Sequence, residues 1–96
     1  MLDEDIRMYR ELVEDFNNLD SSDYASAYEL SQLALSLADR WNEIMMSSVK
    51  YSKEMEITKS DFTTWCYQKF KILTKIHDFT RMVYRQGSYK VGMYDE

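Results

Sequence analysis

The stretch LSQLALSLADRWNEIMMSSVKYSKEM, residues 30–55, decides the fold. Within it Leu30, Ala34, Leu37, Trp41, Ile44, Ser48, Tyr51 and Met55 recur at steps of four and three. That is a heptad seam, the pattern of antiparallel bundles and coiled coils. It predicts one helix over 23–57, roughly 50 Å long at the α-helical rise. Tyr28, Leu35 and Met46 fall on a second line, well off the seam at about 100° per residue. A bare hairpin supplies only one partner helix. The second line therefore needs the N-terminal helix or another copy of the chain, and Tyr28, Leu35 and Met46 are assigned to an oligomer interface.

Past the seam, Thr58-Lys59-Ser60-Asp61 reads as a capping box, in which the Thr58 hydroxyl and the Asp61 carboxylate satisfy orphan amides. It predicts a chain reversal and a new helix over 60–86. The rival is one uninterrupted helix over 23–86; the hairpin is preferred because both flanking segments need an apolar partner. Phe62, Trp65, Ile72, Leu73, Ile76, Phe79 and Val83 share one broad face of the new helix, and Gly87 is the expected C-cap. Lys69 falls inside that apolar face. Either its stem packs and its ammonium reaches water, or it pairs across the hairpin with Asp39, Glu43 or Glu54. Residues 87–96 lose the helical period. Tyr89, Val91 and Met93 alternate with polar or small residues, as in an extended segment that adds to another surface; a disordered terminus is the competing reading.

Before the seam, Leu2, Ile6, Tyr9, Val13 and Phe16 mark a helix within residues 1–19, with Asp3, Glu4 and Asp5 favouring the dipole of its first turn. Asn17 and Asn18 supply turn chemistry, and Asp20, Ser21 or Ser22 can cap the next helix. The expected architecture is all-α: a long antiparallel helical hairpin with an additional N-terminal helix, in one 96-residue domain that forms an oligomeric helical bundle.

Composition supports this. No Pro and two Gly leave too few turn residues for a β-sandwich or barrel. A chain this short buries only about 60–65% of the surface its unfolded form exposes, so a single copy is marginal. No apolar run is long enough to span a membrane. The acidic opening MLDEDIRMYR lacks the apolar core of a signal peptide. The expectation is a soluble cytoplasmic protein.

Chemistry is constrained by what is scarce. One cysteine, Cys66, cannot build a disulfide framework or a Cys-based zinc site, and one histidine, His77, excludes any site needing two. Cys66 sits among Phe62, Trp65 and Phe70 and reads as a small core residue. His77 reads as a boundary residue at the edge of the apolar stripe. The acids of the first helix scatter around its cylinder and form no ligand set. No Gly-rich phosphate loop occurs. No enzyme, cofactor or metal is expected.

The charge is segregated. Residues 1–61 hold fourteen acids and six bases, whereas residues 62–94 hold one acid, Asp78, and six bases. Such asymmetry marks a polyanion-binding region or self-association, one end of a protomer meeting the other end of its neighbour. Lys71, Lys75, Arg81, Arg85 and Lys90 form a row, with Tyr67, Tyr84, Tyr89 and Tyr94 interspersed. A cationic track with aromatic platforms suits a single strand, because every base offers a face to stack on. The competing reading is a solvated helix face whose cations favour the helix dipole.

Arg40-Trp41-Asn42-Glu43, the step Lys53-Glu54-Met55, and the later order Ile76-His77-Asp78-Phe79 followed by Arg85-Gln86-Gly87 together resemble the layout of phage recombination mediators of the UvsY kind, over residues 37–92. The resemblance implies small helical subunits that assemble into a ring holding single-stranded DNA and help load a recombinase onto strands coated by single-strand-binding protein. The basic row would then be the DNA contact. The expected function is thus that of a small oligomeric phage accessory protein binding single-stranded DNA. The alternative is a phage-encoded inhibitor or adaptor that docks a host protein and touches no nucleic acid. A weaker third option holds small nucleotide anions between subunits.

Overall fold

The structure, a computed structural model, describes residues 2–90, with side chains described as far as Gly87. The side chains of Tyr89 and Lys90, and the segment 91–96 with Val91, Met93 and Tyr94, lie outside the described residues. Four helices follow in order: α1 (Asp3–Asn17), α2 (Tyr24–Met46), α3 (Ser48–Glu54) and α4 (Lys59–Lys90). No strand occurs among the described residues.

α2 begins where a carboxylate can satisfy its first amides. Asp23 is the N-cap and accepts from the Ser26 amide (3.1 Å) and the Ser26 hydroxyl (2.7 Å). The cap is thus not Asp20, Ser21 or Ser22. Asp20 instead closes a local turn, accepting from the Ser22 amide at 2.9 Å.

The expected single helix over 23–57 is broken at Ser47, which adopts φ −101° and ψ 30°. Its amide reaches back three residues to the Ile44 carbonyl (3.0 Å), tightening the last turn of α2. Two adjacent serines followed by β-branched Val49 explain the break, since serine hydroxyls offer the backbone local alternatives to the helix. The heptad survives it, because Ser48 is still buried on the seam.

The reversal after α3 is a Schellman motif. The Ile57 amide bonds to the Ser52 carbonyl (3.1 Å) and the Glu56 amide to the Lys53 carbonyl (3.2 Å). Glu56 holds the left-handed position at φ 57°, a place that glycine usually fills. Thr58 then caps α4, its hydroxyl accepting from the Asp61 amide at 3.0 Å.

α4 returns antiparallel to α2 with its own heptad. Cys66, Leu73, Thr80 and Gly87 alternate along the seam with Phe62, Lys69, Ile76 and Val83. All of these are buried except Lys69, which is partly so. Gly87 does not end the helix, which continues through Lys90. It is required by close packing: a Cβ there would lie 2.2 Å from Cγ of Tyr24. Two buried hydroxyls are satisfied within their own helices, Thr80 by the Ile76 carbonyl (2.7 Å) and Ser31 by the Tyr28 carbonyl (2.7 Å).

α1 lies against the side of the hairpin that presents Arg40. The Arg40 guanidinium donates to both Asp5 oxygens (2.9 and 3.2 Å), a bidentate clamp across 35 residues of sequence. Leu2 and Leu12 are buried beneath it, and Phe16 meets Phe79 edge-on at 5.6 Å.

Candidate nucleic-acid interface

Lys71, Lys75, Arg81 and Arg85 are all exposed on α4. From first to last they span about 21 Å of helix. None forms an ion pair among the described residues. The four are not equivalent. Lys75 leans toward α1, where with Ile72 and Phe79 it lines a groove against Val13 and Phe16. Lys71 and Arg85 project outward at about the angle of Asp78, so one acid interrupts the row.

The tyrosines divide. Tyr67 is 51% exposed at the head of the row. Tyr84 is half-buried, and its ring meets that of Tyr28 in a T-shaped contact with centroids 5.0 Å apart. The residues assigned to an oligomer interface stand free of α1. Tyr28 is 50%, Leu35 45% and Met46 79% exposed. Arg40 turns α1 toward the opposite flank of α2, so the N-terminal helix does not cover this line.

Lys69 makes no ion pair with Asp39, Glu43 or Glu54 among the described residues; its stem packs and its ammonium keeps contact with solvent. Its ammonium sits among three rings, 4.5 Å from the centroid of Trp65, 4.9 Å from Tyr9 and 5.8 Å from Trp41. The faces of aromatic rings attract a cation through their quadrupole. Burial nonetheless pushes the Lys69 ammonium below its ordinary pKa, with the nearby Arg10 adding to the effect and Cys66 opposing it. The cage of Tyr9, Trp41 and Trp65 was not read from the sequence. Its available signal was Trp65 one turn before a lysine that falls on an apolar face. The indole N–H of Trp41 is buried without a hydrogen-bond partner among the described residues.

Cys66 is fully buried, and burial pushes its thiol up to about 11, as befits a packing residue and not a nucleophile. His77 uses Nδ1 to donate to the Ser31 carbonyl (2.8 Å), pinning α4 to α2 at the edge of the seam. No group of three or more His, Cys, Asp or Glu residues could hold a metal ion among the described residues. No helix there is long and apolar enough to cross a membrane.

Compared with known proteins, the chain matches no family model, no curated protein and no solved structure.

Proposed function

We propose that this chain is a small phage accessory protein that works as a homo-oligomer and binds single-stranded DNA along the outer face of α4, in the manner of a recombination mediator. The observation that carries the reading is the run of four exposed, unpaired cations on about 21 Å of one helix, headed by exposed Tyr67. Phosphates would be captured electrostatically and a base would stack on Tyr67. One protomer offers few charges, so assembly would multiply them. Burying Tyr28, Leu35 and Met46 between copies would remove apolar surface that α1 leaves open. Capture here is binding without bond-making, in keeping with a protein that is not an enzyme.

The test is a titration of a labelled oligonucleotide at several salt concentrations. Lys71→Gln with Lys75→Gln should weaken binding of all sequences alike and lower the slope of log K against log salt by about 1.4, at roughly 0.7 per phosphate contact on single strands. An unchanged affinity and slope would reject the row as the contact.

A second reading is favoured by the groove between α1 and α4. Its floor of Val13, Phe16 and Ile76 is edged by exposed Ile72 and Phe79, and its volume is about 350 Å³. Such a groove suits an amphipathic segment of a host protein, as an inhibitor or adaptor would require. That protein would show no salt-sensitive strand binding.

A further inference from the structure

The hairpin of α2 and α4 has two broad faces, and α1 covers one of them. On the covered face Trp65, Ile72 and Phe79 follow steps of seven along α4. Phe16 packs on Phe79, Val13 shares a groove with Ile72, and Tyr9 shares the Lys69 ammonium with Trp65. The other face is built the same way and is bare among the described residues. Steps of seven along α2 and into α3 give it Tyr28, Leu35, Asn42 and Val49. Steps of seven along α4 give it Thr63, Phe70, His77 and Tyr84. The two lines lie side by side: Tyr28 meets Tyr84 with centroids 5.0 Å apart, and His77 reaches the Ser31 carbonyl. Tyr28, Leu35 and Val49 are 50%, 45% and 55% exposed, and Met46 beside them is 79% exposed.

A face of this kind can lie on a copy of itself. None of its eight heptad positions is Asp, Glu, Lys or Arg, although 30% of the whole chain is. Two such faces therefore meet without like-charge repulsion, even though each chain carries a net charge of −5. By angular count Asp39 and Arg81 stand at the outer edges, where an interface keeps its polar rim. The face is also large enough. Tyr28 to Val49 spans about 32 Å of helix, and two helices packed about 10 Å apart are about 20 Å wide. Two such faces together cover about 1,300 Å², within the about 1,200–2,000 Å² of a stable interface.

We propose that two copies pack bare face against bare face, so that their hairpins form a four-helix bundle with an α1 on each outer side. The contact is isologous, since the same patch meets itself, and it closes at two copies. The pairing rests on the multi-copy part of the reading above and not on the strand-binding part. Lys71 and Lys75 project away from the shared face, so each copy keeps them for a strand, whereas Tyr84 is withdrawn into the contact.

Light scattering of the full chain tests the pairing. The unaltered chain should have the mass of two copies or an even multiple. Leu35→Glu with Val49→Glu places carboxylates in the shared face and should leave single copies at concentrations where the unaltered chain is paired. Both positions are exposed, so helix content by far-UV circular dichroism should hold. If that variant loses helix, the milder Leu35→Ala with Val49→Ala decides, and should raise the dissociation constant about tenfold or more. Met82→Glu, at an equally exposed residue on the outer side of α4, should leave the mass as it was. Raising salt from about 50 to about 500 mM should not separate the copies, because the face carries no charge to screen. An unaltered chain of single copies would overturn both the pairing and the multi-copy reading. An assembly that resists the Leu35 and Val49 changes, falls equally with Met82→Glu, or dissociates in salt would overturn the pairing alone. Strand binding by Lys71 and Lys75 is read separately by oligonucleotide titration.

Discussion

The two ends of the α2–α4 seam share one heptad geometry and fill it oppositely. Near the turn, Trp41, Phe62 and Trp65 pack ring against ring, with centroids 5.3 Å apart for the tryptophans and 5.8 Å for Phe62 and Trp65. Bulk there needs a third layer, and α1 supplies it through Tyr9, 6.2 Å from Trp41. Toward the far end, small buried residues share the seam with Leu30 and Val83: Ala27, Ser31 and Ala34 on α2, and Thr80 and Gly87 on α4. Small residues bring the backbones together, close enough for Gly87 to lie under Tyr24 and for His77 to reach a main-chain carbonyl. The aromatic end gains stability from buried area, and the small-residue end gains it from fit. Substitutions should therefore fail differently at the two ends.

The largest effect is expected at the aromatic end. Trp41→Ala removes the largest fully buried side chain and the partner of Tyr9, Trp65 and Lys69. It should lower unfolding stability by about 4 kcal/mol in urea titration. A loss well under about 2 kcal/mol would show that the aromatic end is plastic.

Gly87→Ala probes the other end. In an ordinary helix interior the change stabilises by about 1 kcal/mol. Here the new methyl collides with the root of the Tyr24 ring, so a loss of about 1–2 kcal/mol is expected, as for overpacking. In the background Tyr24→Ala the same substitution should regain its stabilising sign. If it stabilises with Tyr24 intact, the close approach is not what holds glycine there.

Lys69→Met sharpens the comparison by removing the charge that sits among the rings of the aromatic end while keeping its stem. Because the folded-state pKa is lowered, the unfolded chain binds more protons between that value and the ordinary 10.5. Lys69 therefore contributes a stability that rises with pH through that window. Cys66 works against it: with its folded pKa raised, the unfolded thiol ionises first and stability falls as pH climbs above its ordinary value of 9.0. The difference between parent and variant carries Lys69 together with its coupling to Cys66, whose thiol the ammonium holds down. The advantage of methionine, about 1 kcal/mol or less near neutrality, should shrink on the alkaline side. A difference that is flat with pH contradicts the burial account.

The smallest effect belongs to the turn. Glu56→Gly should relieve the left-handed strain and raise stability by about 0.5–1 kcal/mol, part of the gain being lost to the greater freedom of the unfolded chain. For a domain of this size that is a rise of roughly 2–8 °C in Tm.

The hairpin was legible because its seam repeats over seven turns and because Thr58 announces a cap. The break at Ser47 was not, since Ser48 keeps the seam's register and only the backbone departs. Gly87 stands at the end of an apolar stripe, which is where a C-cap glycine stands; its real constraint, Tyr24, is 63 positions away in sequence. The angular count placed Lys69 on the apolar face, but such a count gives direction without saying what lies opposite. The basic row was read directly, whereas the engagement of Tyr84 by Tyr28 depends on a tertiary contact. The bare face was legible only in part for the same reason: Tyr28, Leu35 and Met46 mark it on α2, but its continuation through Phe70 and Tyr84 on α4 follows from how the two helices pair.

The central claim is that several copies together hold one strand. Light scattering of the full chain, alone and with a single-stranded oligonucleotide, tests it most directly. The account predicts a particle of several chains that gains the mass of the strand at low salt and releases it as salt rises. A particle of one chain, unchanged in mass by the oligonucleotide, would contradict it.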